Sequence, residues 1–170
     1  LSDDEIFTRV YELECFWHGK SSGIDPIMAI LGDLQYIQPT NPPKLANATK
    51  IKKSKLLDNL TYIDTGKSKS STGDCVSFVA NNSDSIDWSE WGECTKNIKK
   101  SLDNNDLSEL KLYFRKNNEL LVKAGVVPAK VRGLIMDYEE KGFAAKVTGS
   151  GCVASDSDSC GVVMVVAEGD

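Results

Sequence analysis

Apolar residues recur along this chain at helical and at strand spacing, and the alternation between the two divides it into elements. Ile6, Val10 and Leu13, joined by Phe7 and Tyr11, fall on one helical stripe near the start. Ser2-Asp3-Asp4-Glu5 ahead of it is a capping box, in which the Ser2 hydroxyl and the Glu5 carboxylate each satisfy an unpaired backbone N–H. Gly19 stands where that helix ends, since glycine takes the left-handed conformation at little cost. Glu14 and His18 then lie one turn apart on one face near the helix C-terminus. Ser21-Ser22-Gly23 reads as a turn, and Asp25-Pro26 as the N-cap and first residue of a short helix to about Leu31.

Leu34 to Ile37 reads as a strand, Pro39 to Lys55 as a Pro/Asn/Lys loop, and Leu60 to Ile63 as a strand ending at Asp64-Thr65-Gly66. Helices are expected from Trp88 to Ser101, from Leu107 to Ala124 and from Pro128 to Lys141, the last opened by Pro128 in its first turn. Leu107, Leu110, Phe114 and Leu121 face inward on the second; Val131, Leu134, Ile135 and Tyr138 do so on the third. Phe143 to Thr148 and Val162 to Ala167 read as strands, the latter apolar throughout and so buried on both faces. Helices and strands mix without regular alternation, which makes the class α+β.

Composition narrows the function. The chain has 170 residues, 41% apolar and 26% charged, the profile of one domain or of one domain plus part of another. A net charge of −5 argues against nucleic acid, which requires a basic face. The short run Lys50, Lys52, Lys53 and Lys55 reads as a solvated loop. Five cysteines without paired spacing, and one histidine, fit reduced thiols in a cytosolic protein better than zinc or a disulfide scaffold. No run of 18 apolar residues offers a membrane span. The opening on Leu1, directly into a helical pattern, reads as an interior start with upstream sequence missing.

Some motifs are misleading. Gly66-Lys67-Ser68 lacks the earlier glycine of a P-loop, having Thr61 there. Gly149-Ser150-Gly151-Cys152-Val153-Ala154 fits GxGxxA, but the residues after it form turns where a dinucleotide fold needs a helix. Asp156-x-Asp158 starts like a calcium loop, yet Ala167 stands at the twelfth position.

Read jointly, other segments gain meaning. Glu12-Leu13-Glu14 through His18-Gly19-Lys20-Ser21-Ser22-Gly23-Ile24-Asp25 resembles the ELE…HGxPSG(I/V)D signature of GHMP-type kinases, mevalonate kinases especially. Asp64-Thr65-Gly66 followed by Ser71-Thr72 resembles their strand-end DTG with a nearby Ser/Thr. Asn117 to Val126, and then Gly142-Phe143-Ala144-Ala145-Lys146-Val147-Thr148-Gly149-Ser150-Gly151, resemble the stretch that ends in their third motif, GAKLTGAGGGG. The order and spacing agree across most of the chain.

The resemblance implies a GHMP-kinase C-terminal domain, an antiparallel sheet packed with helices, over residues 59–170. Residues 1–58 would be a remnant of the N-terminal domain. It implies phosphoryl transfer from ATP to the mevalonate 5-hydroxyl, with Mg²⁺, in the cytoplasm and within isoprenoid synthesis. Partners would be the small alcohol, ATP and the missing N-terminal portion, with a homodimer admitted and the isolated fragment inactive. By position, Asp25 is the catalytic carboxylate, Glu14 the Mg²⁺ ligand, and Gly149, Ser150 and Gly151 a loop near the nucleotide phosphates. His18, Ser22, Thr65 and Ser71 would line the substrate site. The alternatives are another GHMP kinase, acting on phosphomevalonate, homoserine or a sugar, or a non-catalytic regulator of this fold.

The chemistry suits those residue types. Phosphoryl transfer leaves a protein mainly positioning and charge neutralisation to do. A carboxylate, with an ordinary pKa of roughly 4, accepts the alcohol proton as its oxygen bonds to phosphorus. Magnesium wants hard oxygens and takes only one or two protein carboxylates. Plainer roles stay open: Asp25 as a helix cap, Glu14 as a solvated residue, His18 as a helix-end cation, and the glycines as a turn. The chain also departs from the pattern. Lys20 and Ser21 replace the usual Asn-Pro or similar pair, Pro26 replaces a common Asn, and Cys152, Val153 and Ala154 stand where further glycines are expected.

Overall fold

In the computed structural model, which describes residues 1–19 and 21–167, the chain divides after Lys53 into two units. The first opens with α1 (Asp3–His18), started by the Ser2/Glu5 capping box and closed by Gly19 at φ 76°. A tight turn leads into α2 (Ile24–Leu31). Strands β1 (Gln35–Ile37) and β2 (Ala48–Lys50) then pair antiparallel, Tyr36 opposite Thr49. The second of these strands, and a short 3₁₀ turn at Leu45–Asn47, lie inside the stretch expected as loop. Phe7, Ile27 and Leu45 form the small core here, with Tyr11 stacked on Phe7 at 5.9 Å between ring centroids.

The second unit is built on a three-stranded antiparallel sheet in the order β3 (Leu60–Asp64), β5 (Val162–Val166), β4 (Ala144–Thr148). The all-apolar strand takes the centre, as expected of a run with no polar face: Val163, Val165 and Val166 are buried. Its neighbour β4 precedes it directly along the chain, whereas β3 is separated from β4 by four helices: α3 (Thr72–Asn81), α4 (Trp88–Asn104), α5 (Leu107–Lys123) and α6 (Ala129–Glu139).

Val131 and Ile135 of α6 pack with Ala145, Val147, Val163 and Val165 in the main core. Helix α5 runs beside β4, and its Lys111 and Arg115 donate to the carbonyls of Gly142 and Phe143 at 3.0 and 2.6 Å. Full burial of each such valine or isoleucine contributes roughly 1.5–3 kcal/mol.

Local details differ from expectation in three places. Helix α3 was not foreseen; it starts at a second capping box, Ser71 with Asp74, hidden in a polar serine-rich stretch. Pro128 is the N-cap of α6, with extended backbone at φ −60° and ψ 152°, and not its first helical residue. Asp25 is not a cap either. Gly23 is the N-cap of α2, in the left-handed conformation, and Asp25 lies inside the first turn. Among the described residues no helix is long and apolar enough to cross a membrane, and all five cysteines are free thiols.

Candidate functional site

The candidate residues fall into two clusters, one in each unit. In the first, Glu14 sits half-buried in the last turns of α1. The Ser21 hydroxyl donates to Glu14 Oε2 and accepts the Gly23 N–H at 3.0 Å. One side chain thus joins the end of α1 to the start of α2. Gly23 is fixed there by two constraints: its φ of 76°, and the Pro43 ring, which a Cβ would approach to 2.6 Å. The Ser22 hydroxyl accepts the Ile24 N–H at 3.3 Å, an ordinary local turn.

Asp25 follows on the exposed side of α2, and its carboxylate makes no hydrogen bond or ion pair among the described residues. Pro26 and Ile27 beside it are buried, so the backbone carrying Asp25 is anchored while its side chain is free to meet another group. The side chain expected of His18 lies outside the described residues, as does Lys20.

This cluster suits Mg²⁺ on the chemistry of its donors. Glu14 offers a hard carboxylate with one oxygen engaged by Ser21 and the other without a partner among the described residues. No cluster of three or more metal-binding side chains occurs among them. Magnesium does not require one: it is ordinarily held by one or two carboxylates, with water and substrate phosphates completing its shell.

In the second cluster the end of β3 meets the turn after β4. Thr65 donates its hydroxyl to Gly161 O at 2.7 Å and accepts the Cys160 N–H at 3.1 Å. Ser71 is engaged with Asp74 as the cap of α3, its hydroxyl donating to the carboxylate at 2.7 Å. Ser68 and Ser70 hold the Gly149–Gly151 turn. The Ser68 hydroxyl lies 3.1 Å from the Gly151 carbonyl, and the Ser70 hydroxyl accepts the Val153 N–H at 2.9 Å.

Gly149 and Gly151 both have positive φ, 87° and 79°. The N–H groups of Gly149, Ser150 and Gly151 donate to nothing among the described residues. Successive amides at a turn can form an anion-binding concavity; here Gly149 is exposed, Ser150 half-buried and Gly151 buried. The next two amides are already used: Cys152 N–H on Val126 O, and Val153 N–H on Ser70.

The thiols around this turn differ. Burial pushes Cys152 up, but hydrogen bonds from the Ser70 hydroxyl, the Ala154 amide and the Ser68 hydroxyl outweigh it and bring the thiol to about 7. Burial holds Cys75 and Cys160 above the ordinary thiol range. An apolar cavity of about 390 Å³, lined by Cys75, Val79, Trp88, Trp91, Leu121 and Ser150, opens beside the turn.

Ser21, Ser68 and Ser70 were missed in the sequence. Each lies in a serine-rich segment where no periodicity marks the residue that matters, and their partners are set by chain reversal. In the sequence Ser68 stands out only as the end of an incomplete P-loop pattern.

No protein-family sequence model matches the chain, and no curated protein matches it by sequence. Solved structures do match. The L. major mevalonate kinase in complex with R-mevalonate has a TM-score of 0.68 at 20% identity, over 100% of this chain and 51% of that one. A further mevalonate kinase has a TM-score of 0.63 at 24% identity, over 98% and 50%. The Lin0012 protein from Listeria innocua has a TM-score of 0.76 at 17% identity, over 100% and 54%.

The chain therefore spans about half the length of these structures. Identities this low speak for the fold. The expected α+β class and the resemblance drawn from the motifs are both borne out at that level: the chain has the fold that these mevalonate kinases show over about half of their length.

Proposed function

We propose that this chain carries the acceptor-side machinery of an ATP-dependent kinase that phosphorylates a small hydroxylated acid, mevalonate being the first candidate. In this reading residues 1–58 close the catalytic domain and residues 59–170 form the C-terminal domain. The main phosphate-binding loop would come from sequence outside these 170 residues. Asp25 accepts the proton of the attacking hydroxyl as the new O–P bond forms. Glu14 would hold Mg²⁺, which would supply charge neutralisation for the transferred phosphoryl group. The free amides of the Gly149–Gly151 turn receive phosphate oxygens, and Ser22, Thr65 and Ser71 stand near the acceptor, with His18 in the same expected role.

One observation supports this above the rest. Glu14, Ser21 and Gly23 form a bonded set, so the proposed metal ligand is tied to the helix start that carries Asp25. Plain helix capping gives no reason for such a link. A coupled ADP-release assay on the intact protein, offered mevalonate, phosphomevalonate, homoserine and galactose in turn, tests the reading. Turnover is expected with mevalonate and Mg²⁺. Turnover with another alcohol alone would move the acceptor assignment within the superfamily, and none with any alcohol would remove the kinase reading.

A second reading, a non-catalytic binding protein of this fold, is favoured by the use of the Cys152 and Val153 amides inside the protein. It predicts nucleotide or small-acid binding without ADP release in the same assay.

A further inference from the structure

We propose that Ser21 is a positioning residue for Glu14, setting which carboxylate oxygen faces the cation; the inference rests on the kinase reading above. The position is one where the family pattern carries a proline, which has no hydroxyl, so the contact belongs to this chain's own sequence.

The direction of the hydrogen bonds is fixed by chemistry. A hydroxyl has one proton and two lone pairs. The Gly23 amide can only donate, at 3.0 Å, so the Ser21 proton goes to Glu14 Oε2. The amide also polarises the hydroxyl and strengthens that donation. The anchor is stiff. Gly23 is held by its left-handed backbone and by Pro43, and its carbonyl accepts the Ile27 N–H in the first turn of α2 at 3.1 Å.

The consequence falls on Glu14. A free glutamate samples several rotamers, and ordering one on binding costs conformational entropy. Ser21 imposes that order beforehand. It also engages one oxygen, leaving the other as a single hard donor. Because Asp25 lies two residues beyond Gly23, the same hydroxyl ties the metal ligand to the proton acceptor's helix.

The test is binding of Mn²⁺, the probe for Mg²⁺, to the intact protein with ATP, followed by electron paramagnetic resonance. Ser21→Ala is expected to weaken Mn²⁺ binding about tenfold, the usual scale for loss of an outer-sphere partner. Ser21→Thr, which keeps the hydroxyl, is expected to restore it, and the KM for the alcohol should stay unchanged in both. If Ser21→Ala melts below the assay temperature, Ser21→Cys, a weaker donor of similar size, serves in its place. Glu14→Gln separates the two claims. Weak Mn²⁺ binding in Glu14→Gln with Ser21→Ala within about twofold of the unaltered protein would overturn the role of Ser21 alone. Unaltered binding in Glu14→Gln, or none in the parent protein, would overturn the metal reading and this inference with it.

Discussion

A Cβ placed on Gly151 would lie 2.2 Å from the carbonyl oxygen of Val126, the same oxygen that accepts the Cys152 N–H at 2.9 Å. The contact is backbone to backbone and has no soft side chain to yield. Gly149, two residues earlier, has a similar φ of 87° but nothing within 4 Å of its Cβ position. Gly149→Ala should therefore cost about 1–2 kcal/mol, the price of the left-handed conformation alone. Gly151→Ala should cost about 3–5 kcal/mol, since strain and a close contact add. Urea unfolding of the two variants checks this; equal midpoints would show that the turn is not pinned to Val126.

Thr65 is expected from the family pattern to stand near substrate, and its hydroxyl also closes the end of the sheet on Gly161 and Cys160. Thr65→Val keeps the shape and the Thr65 N–H bond to Gly161 O but leaves the Cys160 N–H unpaired, so it should lower stability by about 1–3 kcal/mol. Thermal unfolding reads that directly. An unchanged midpoint with a raised KM would mean that the hydroxyl serves the substrate and not the sheet.

The thiols give a pH prediction. With Cys152 at about 7 and its unfolded value near 8.5, the folded state favours the thiolate. That stabilisation is complete above the unfolded value and is lost as pH falls through the folded one. Stability to urea should thus rise between pH 7 and about 8.5 in the parent and rise less in Cys152→Ser.

Much of the fold could be read from the chain because local and global preferences agree there. Ser2 and Glu5 begin a helix by chemistry confined to four residues, and Val162–Val166 has no polar face to give to water, so it takes the centre of the sheet. The misses have a common cause. Ser71 and Asp74 form the same box as Ser2 and Glu5, but the serine-rich stretch before them carries no apolar period to announce a helix. Asp25 before Pro26 has the composition of a cap, and Gly23, free to adopt φ 76°, takes the position instead.

The site was legible in the same uneven way. Glu14 and Asp25 stand out by motif, whereas Ser21 gains its meaning only when the turn at Gly19 brings it back onto α1. Ser68 and Ser70 likewise act on residues more than eighty positions away, a pairing that only the closed sheet creates.

The account stands or falls on Asp25, whose exposed carboxylate is mounted on an anchored helix start. The direct measurement is turnover of the intact protein against its Asp25→Asn variant, with nucleotide binding followed in parallel. Removing a general base of this kind should lower kcat about 10²–10⁴-fold while ATP affinity is kept. Turnover at the parent rate in Asp25→Asn would contradict the proposal.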